Sequence, residues 1–195
     1  QKKYLLIGSI AVTGPAGKIL NRSYIVDEFG NIISRYDKIH LFDIKFSEKE
    51  SYCESTTVSG GQKAVICETP LGCFGQTICY DLRFPHLYRK LSQAGAQILV
   101  VPAAFTKKTG EAHWHVLNRA RAIENGAFVV APCAVGKVEG GGESYGYSLI
   151  INPWGEILAD AGSDSGLINA NIDLEEVNSA RMRVPSLKHD KTFKF

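Results

Sequence analysis

The sequence predicts a mixed α/β fold in which helices cover sheet faces. Strand-like and helix-like runs alternate through the middle of the chain, while paired β-rich runs around turn signals occupy both ends. The 195 residues show no internal repeat, low-complexity stretch or linker, and so read as one domain, 1–195.

Tyr4–Val12 reads as a buried strand. Arg22–Asp27 and Asn31–Lys38 flank Glu28-Phe29-Gly30 and form a hairpin; Ala64–Thr69 and Cys73–Cys79 repeat the pattern around Pro70-Leu71-Gly72. After Cys79 the period changes. Leu82, Leu87, Leu91 and Ala94 recur at helical spacing, and Gly95 stops the helix. Gln97–Pro102 is a buried strand, followed by a helix over Gly110–Asn125 with Val116, Leu117, Ala120 and Ile123 on one face and Gly126 at its end. Ala127–Ala134 is another buried strand. Tyr147–Asn152 and Ile157–Ala159 make a third hairpin around Pro153-Trp154-Gly155. Leu167–Ile172 is a last strand, Leu174–Arg181 a last helix, and Val184–Phe195 irregular. Gly140-Gly141-Gly142 has no Lys-Ser/Thr successor and reads as a flexible turn. No Gly-x-Gly-x-x-Gly follows a strand, so a dinucleotide site is not supported.

Composition narrows the function classes. With 45% apolar and 22% charged residues and a net charge of +2, the chain has the profile of a soluble globular domain. Neither nucleic acid nor a membrane is an expected partner, since there is no Lys/Arg run and the longest apolar stretches, such as Ile98–Pro102, are too short to span a bilayer. No segment reads as a secretory signal, so the cytoplasm is the expected location. The five cysteines, at 53, 67, 73, 79 and 133, are odd in number and form no C-x-x-C pair, so neither a disulfide framework nor a zinc site is expected.

Most of these cysteines are expected to be small buried hydrophobes. Cys79 differs, because it stands where the apolar strand Gly75–Ile78 gives way to a helix. A side chain at such a corner projects into a cleft, and the helix amino end favours a thiolate. Tyr80, Asp81, Arg83 and Phe84 are also unusually polar and aromatic for a strand end. A thiol that attacks an amide needs a base, a group to hold the oxyanion, and an exit for the amine. Five histidines, at 40, 86, 113, 115 and 189, keep a Cys/His protease open, although none carries a local protease signature.

The string Gln76-Thr77-Ile78-Cys79-Tyr80-Asp81-Leu82-Arg83-Phe84-Pro85 resembles the nucleophile motif of the nitrilase superfamily of carbon–nitrogen hydrolases, in its amidase branch. Tyr36-Asp37-Lys38-Ile39-His40-Leu41-Phe42-Asp43 is similar to the family's lysine motif. Thr109–Trp114 continuing into Arg119–Asn125 is similar to its helix, and Asn152-Pro153-Trp154-Gly155-Glu156 to its late hairpin. The resemblance implies a four-layer α-β-β-α sandwich and a Glu–Lys–Cys mechanism without metal or organic cofactor. Cys79 is then the nucleophile. Lys38, with the backbone N–H of Tyr80, holds the oxyanion. Glu54 orients Lys38 or positions substrate, with Glu48 and Glu50 as competitors because Lys45–Lys49 replaces the usual loop.

Arg83 and Phe105 are the implied substrate contacts, Arg83 through a substrate carboxylate or, alternatively, as a structural ion pair. The family's first glutamate, its general base, lies upstream of the first strand, as do further strands and a helix. The chain is therefore expected to be a fragment, in preference to a shortened inactive relative. His115 stands where many relatives carry Glu and is expected to be structural.

The implied reaction is hydrolysis of a C–N amide bond in a small carboxylated substrate through a thioester. The strings stand closer to deaminated glutathione amidases than to ω-amidases. A catalytically inactive binding or oligomerisation module is the reading from another class. The tail from Arg183 to Phe195 is similar to a segment that reaches over a neighbouring subunit, and a homodimer or higher homo-oligomer is expected.

Overall fold

The computed structural model describes residues 3–48, 50–139 and 142–194. Two sheets pack face to face. The smaller consists of β1 (Leu5–Thr13), β2 (Ile19–Val26) and β3 (Ile32–Asp37), all antiparallel. After a short pair, β4 (Asp43–Lys45) and β5 (Ser51–Cys53), come β6 (Val65–Thr69) and β7 (Gly72–Gln76). A 3-10 turn over Cys79–Arg83 leads into α1 (Pro85–Gln93), β8 (Ile98–Val100), α2 (Lys107–Asn125) and β9 (Phe128–Ala131). The remainder is β10 (Val135–Lys137), β11 (Glu143–Tyr145), β12 (Leu149–Ile151), β13 (Ile157–Asp160) and α3 (Glu175–Arg183). The larger sheet runs β13-β12-β9-β8-β7-β6, with β7, β8 and β9 parallel and the others antiparallel.

Alternation along β8 assigns the two faces of this sheet. Leu99 and Val101 point at α1 and α2, packing with Leu87, Tyr88, Leu91 and Trp114. Ile98 and Val100 point the other way, against Leu6 of β1 and Val177 of α3. Between the sheets, Ser23 donates to Gln76 Oε1 at 3.1 Å and Gln76 Nε2 donates to Ser34. Among the described residues the layers therefore run helix, sheet, sheet.

The three predicted hairpins form, as do the three helices. Three expectations need correction. β1 is a strand but not a buried one: Leu5 is 57% and Ile10 46% exposed, because β1 is an edge strand among the described residues. Leu167–Ile172 is not a strand. Ile172 and Leu174 pack on Ile98 and Phe128 of the central strands, so this segment lies on a sheet face where ladder partners are already taken. The helix α2 begins one turn earlier than predicted and buries a different face. Trp114, Asn118, Arg121, Ala122 and Asn125 are inside, while Val116 and Ile123 are 67% and 52% exposed. The buried donors there are hydrogen-bonded, with Arg121 donating twice to Leu82 O and lying over the Tyr88 ring and with the Asn118 and Asn125 amide nitrogens donating to Trp114 O and Arg121 O, which apolar periodicity does not reveal. The tail packs on α1, where Asp190 pairs with Arg89 and Gln93 donates to Leu187 O. The expected glycine turn involves Gly140 and Gly141, which lie outside the described residues.

Gly110 shows how tight the α2 contact is. A Cβ there would stand 2.2 Å from Tyr145 Cγ. Alanine normally stabilises a helix interior by about 1 kcal/mol over glycine. Here the sign reverses: Gly110→Ala is expected to destabilise by roughly 1–3 kcal/mol through overpacking, read as a lower denaturant midpoint.

Candidate active site

A cleft of about 220 Å³ opens beyond the carboxyl ends of β7 and β8, lined by Lys38, Glu54, Cys79, Tyr80, Phe105, Ser9 and Asn21 among others. Ends of parallel strands are where α/β sheets present side chains to ligands. Each group arrives from a different element. Past β7 the chain continues to pair with the end of β8 and the residues that follow it, through Thr77 N–H to Val100 O at 3.2 Å and Cys79 N–H to Pro102 O at 2.9 Å. It then turns sharply at Cys79, whose φ of +50° is left-handed. That conformation costs a non-glycine residue about 1–2 kcal/mol and is sustained where the surroundings hold it. It turns the thiol into the cleft.

Lys38 follows β3 and is 3% exposed. Its Nζ donates to Glu54 Oε2 at 2.6 Å, and the Phe42 backbone N–H donates to the same oxygen at 2.6 Å. Glu54 begins a 3-10 turn after β5. The two competing glutamates are engaged elsewhere, Glu48 with Lys45 at 2.6 Å and Glu50 with Lys108 at 3.7 Å. The Tyr80 N–H lies in the first turn of the 3-10 helix, where N–H groups have no partner inside the helix.

Burial pushes the Cys79 thiol up to about 11, against Lys38 and the Ala104 backbone N–H, which both favour the thiolate. The sequence argument expected the helix end to favour the thiolate. Desolvation outweighs the positive groups here. Burial also raises Tyr36 and Tyr88. All three are held neutral in the fold but ionise at lower pH when unfolded. Their stabilisation is thus complete below about pH 8.5, where unfolded thiols remain protonated, and is lost as pH rises towards 11. The unfolding temperature is expected to be level from pH 7 to 8 and to fall between pH 9 and 11; a level profile to pH 11 would contradict this assignment.

Arg83 is not itself among the residues that line the cleft but lies against two that are. Its guanidinium lies 5.3 Å from the Phe105 ring centroid and 6.0 Å from that of Tyr80, and Nη1 is 3.3 Å from His113 Nδ1. Phe105 itself is 4% exposed and packs on Trp114 at 5.0 Å. His115 lies 3.0 Å from Asp160 and edge-on to Tyr147, not among the residues that line the cleft. Among the lining residues there is no histidine, which removes the support for a Cys/His pair. Sequence reading missed Ser9 and Asn21. The signal for Ser9 was the Gly8-Ser9 break in an apolar run: the β1–β2 register shifts between Ile7 and Ile10, a bulge of the kind that re-aims a side chain.

Residues 1–182 match the family model described as carbon-nitrogen hydrolase. The chain belongs to this family. It is 46% identical over 180 residues to a deaminated glutathione amidase of Synechocystis sp., covering 91% of this chain and 66% of that protein. It is 36% identical over 189 residues to the omega-amidase NIT2 of Homo sapiens, covering 97% and 68%. The crystal structure of Saccharomyces cerevisiae Nit3, a member of branch 10 of the nitrilase superfamily, matches with a TM-score of 0.86 at 36% identity, covering 96% of this chain and 66% of that one. The sandwich is thus of the nitrilase type, and the chain spans about two thirds of the length of these relatives.

Proposed function

We propose that this chain carries the nucleophile and oxyanion cation of an amidase that cleaves the C–N bond of a small carboxylated amide through a thioester on Cys79. One observation carries the reading: a thiol, a buried ammonium paired to Glu54 at 2.6 Å, and a first-turn N–H share one cleft. Sγ attacks the amide carbon, and the developing oxyanion is held by Lys38 Nζ and Tyr80 N–H. Collapse expels ammonia or an amine, which takes up a proton, and water then releases the acid and restores the thiol. Because the thiol is protonated at neutral pH, attack needs a base. Glu54 is committed to Lys38 and Phe42 N–H. The resemblance implies a further glutamate as that base.

A deaminated-glutathione-type amide is the first choice of substrate, on the similarity to the Synechocystis protein; an α-keto acid amide is the alternative. Arg83, braced by Phe105 and Tyr80, is the group for the substrate carboxylate. The inactive-module reading is disfavoured by Lys38, since a buried ion pair beside a thiol is costly to keep without use. A reducing compartment such as the cytoplasm suits five free cysteines. Exposed Ile123, Trp154 and Val184 line one surface hollow, and there we place a second copy of the chain. The test is ammonia release from a panel of small amides that includes deaminated glutathione and α-ketoglutaramate. Turnover ranked with carboxylated amides first supports the reading, and preference for uncarboxylated amides contradicts the role of Arg83.

A further inference from the structure

We propose that Asp81 is the positioning residue that sets the Lys38 segment against the Cys79 segment, through four hydrogen bonds that bracket both groups. The proposal rests on the reading of Cys79 as nucleophile and Lys38 as its cation. Asp81 is completely buried. Its Oδ2 accepts from the Tyr36 hydroxyl at 2.6 Å and from the Ile78 N–H at 2.9 Å. Its Oδ1 accepts from the His40 backbone N–H at 3.0 Å and from His40 Nδ1 at 2.7 Å. Tyr36 and His40 stand two residues before and two after Lys38, while Ile78 and Asp81 stand one before and two after Cys79. Every donor is therefore a near neighbour of one of the two reacting groups, and one carboxylate fills all four.

Chemistry explains why a carboxylate stands there. Two acceptor oxygens with about four lone-pair sites match four donors, whereas an amide offers one oxygen and turns an N–H towards the rest. The arms are rigid. The His40 ring stacks on Phe84 at 3.6 Å and 8°, which aims Nδ1 at the carboxylate, and Tyr36 is wholly buried. The two segments come from different sheets, and their rings also meet, His40 with Phe84 and Phe42 with Tyr80. A shift of the joint would move Nζ relative to Sγ, and about 1 Å of misplacement costs on the order of 100-fold in rate.

The test compares Asp81→Asn with wild type in the full natural chain. Readouts are kcat and KM on the best amide, and the pH midpoint for alkylation of Cys79 by iodoacetamide, followed on the peptide that contains it. The unfolding temperature serves as control. The charged and titratable groups facing the thiol are Lys38, Glu54 and Cys133, and Lys38 is the one that draws it towards the thiolate. The expected result is a kcat lower by about 100-fold with KM within about threefold, and an alkylation midpoint raised in the direction that Lys38→Met raises it. In a Lys38→Met background, Asp81→Asn should add less than about twofold, because it acts through the lysine. A folded Asp81→Asn with unchanged kcat and midpoint, or full additivity with Lys38→Met, would overturn the proposal and leave Asp81 a core residue. Should Asp81→Asn not fold, Tyr36→Phe removes one donor of the four: about tenfold lower kcat with a raised midpoint supports the proposal, and wild-type values overturn it. A wild type that releases no ammonia defeats the amidase reading alone, since the alkylation midpoints still report whether Asp81 sets the thiol's surroundings.

Discussion

Replacing Cys79 by alanine is expected to lower ammonia release by at least about 10⁴-fold while leaving the unfolding temperature within a few degrees of wild type. The side chain is small and only partly buried at the cleft, and its loss removes a left-handed cysteine without opening a large void. Rate suffers far more than stability because the covalent step has no substitute: the other hydroxyl-bearing lining residues, Ser9, Tyr80 and the Thr106–Thr109 pair, are weak nucleophiles at neutral pH, and no second thiol or imidazole is among the described lining residues. Initial rates of ammonia release, with thermal unfolding in parallel, check this. A Cys79→Ala protein that retains a tenth of the rate would remove the thiol from the mechanism.

The second large effect belongs to Lys38. Lys38→Met keeps the length and bulk of the side chain but removes the cation, and is expected to lower kcat by about 10³-fold, near the upper range for one lost oxyanion donor. It also strands Glu54, which keeps only the Phe42 N–H at 2.6 Å, so stability should fall by roughly 3 kcal/mol. Because Lys38 opposes the burial that raises the thiol, the alkylation midpoint of Cys79 should move further up. Lys38→Arg should rescue little, since a planar fork cannot sit where a compact ammonium contacts Glu54 at 2.6 Å in a nearly closed site. A Lys38→Met variant with wild-type kcat and a raised KM would instead make this residue a substrate-binding group.

Much of the architecture could be read from the chain because local signals and tertiary context agree. The hairpins around Gly30 and Gly155 have turns that need positive φ, and both glycines adopt it. The failures have a common cause. Along β1, α2 and Leu167–Ile172, apolar residues were taken to face a core, but which face is covered depends on neighbours that no local pattern names. In α2 the inward face is marked by Asn118, Arg121 and Asn125, polar residues whose partners are backbone carbonyls of Trp114, Leu82 and Arg121. Cys79 could be singled out by its place at a strand end and Lys38 by resemblance alone. Glu54 could be preferred over Glu48 and Glu50 by resemblance, and it is Glu54 that the fold brings to the Lys38 ammonium. Asp81 stood in view as an unexpected acid beside the cysteine, yet its four donors come together only when β3 packs over the end of β7.

The thioester is the central claim, and acid-quenched mass spectrometry of the protein during turnover tests it most directly. With a deaminated-glutathione-type amide present, the peptide carrying Cys79 should gain the mass of the acyl group, with none on Cys53, Cys67, Cys73 or Cys133, and the adduct should disappear once substrate is exhausted. Ammonia released at the full rate with Cys79 unmodified, under conditions that trap an acyl-enzyme in a known thiol amidase, would contradict the account.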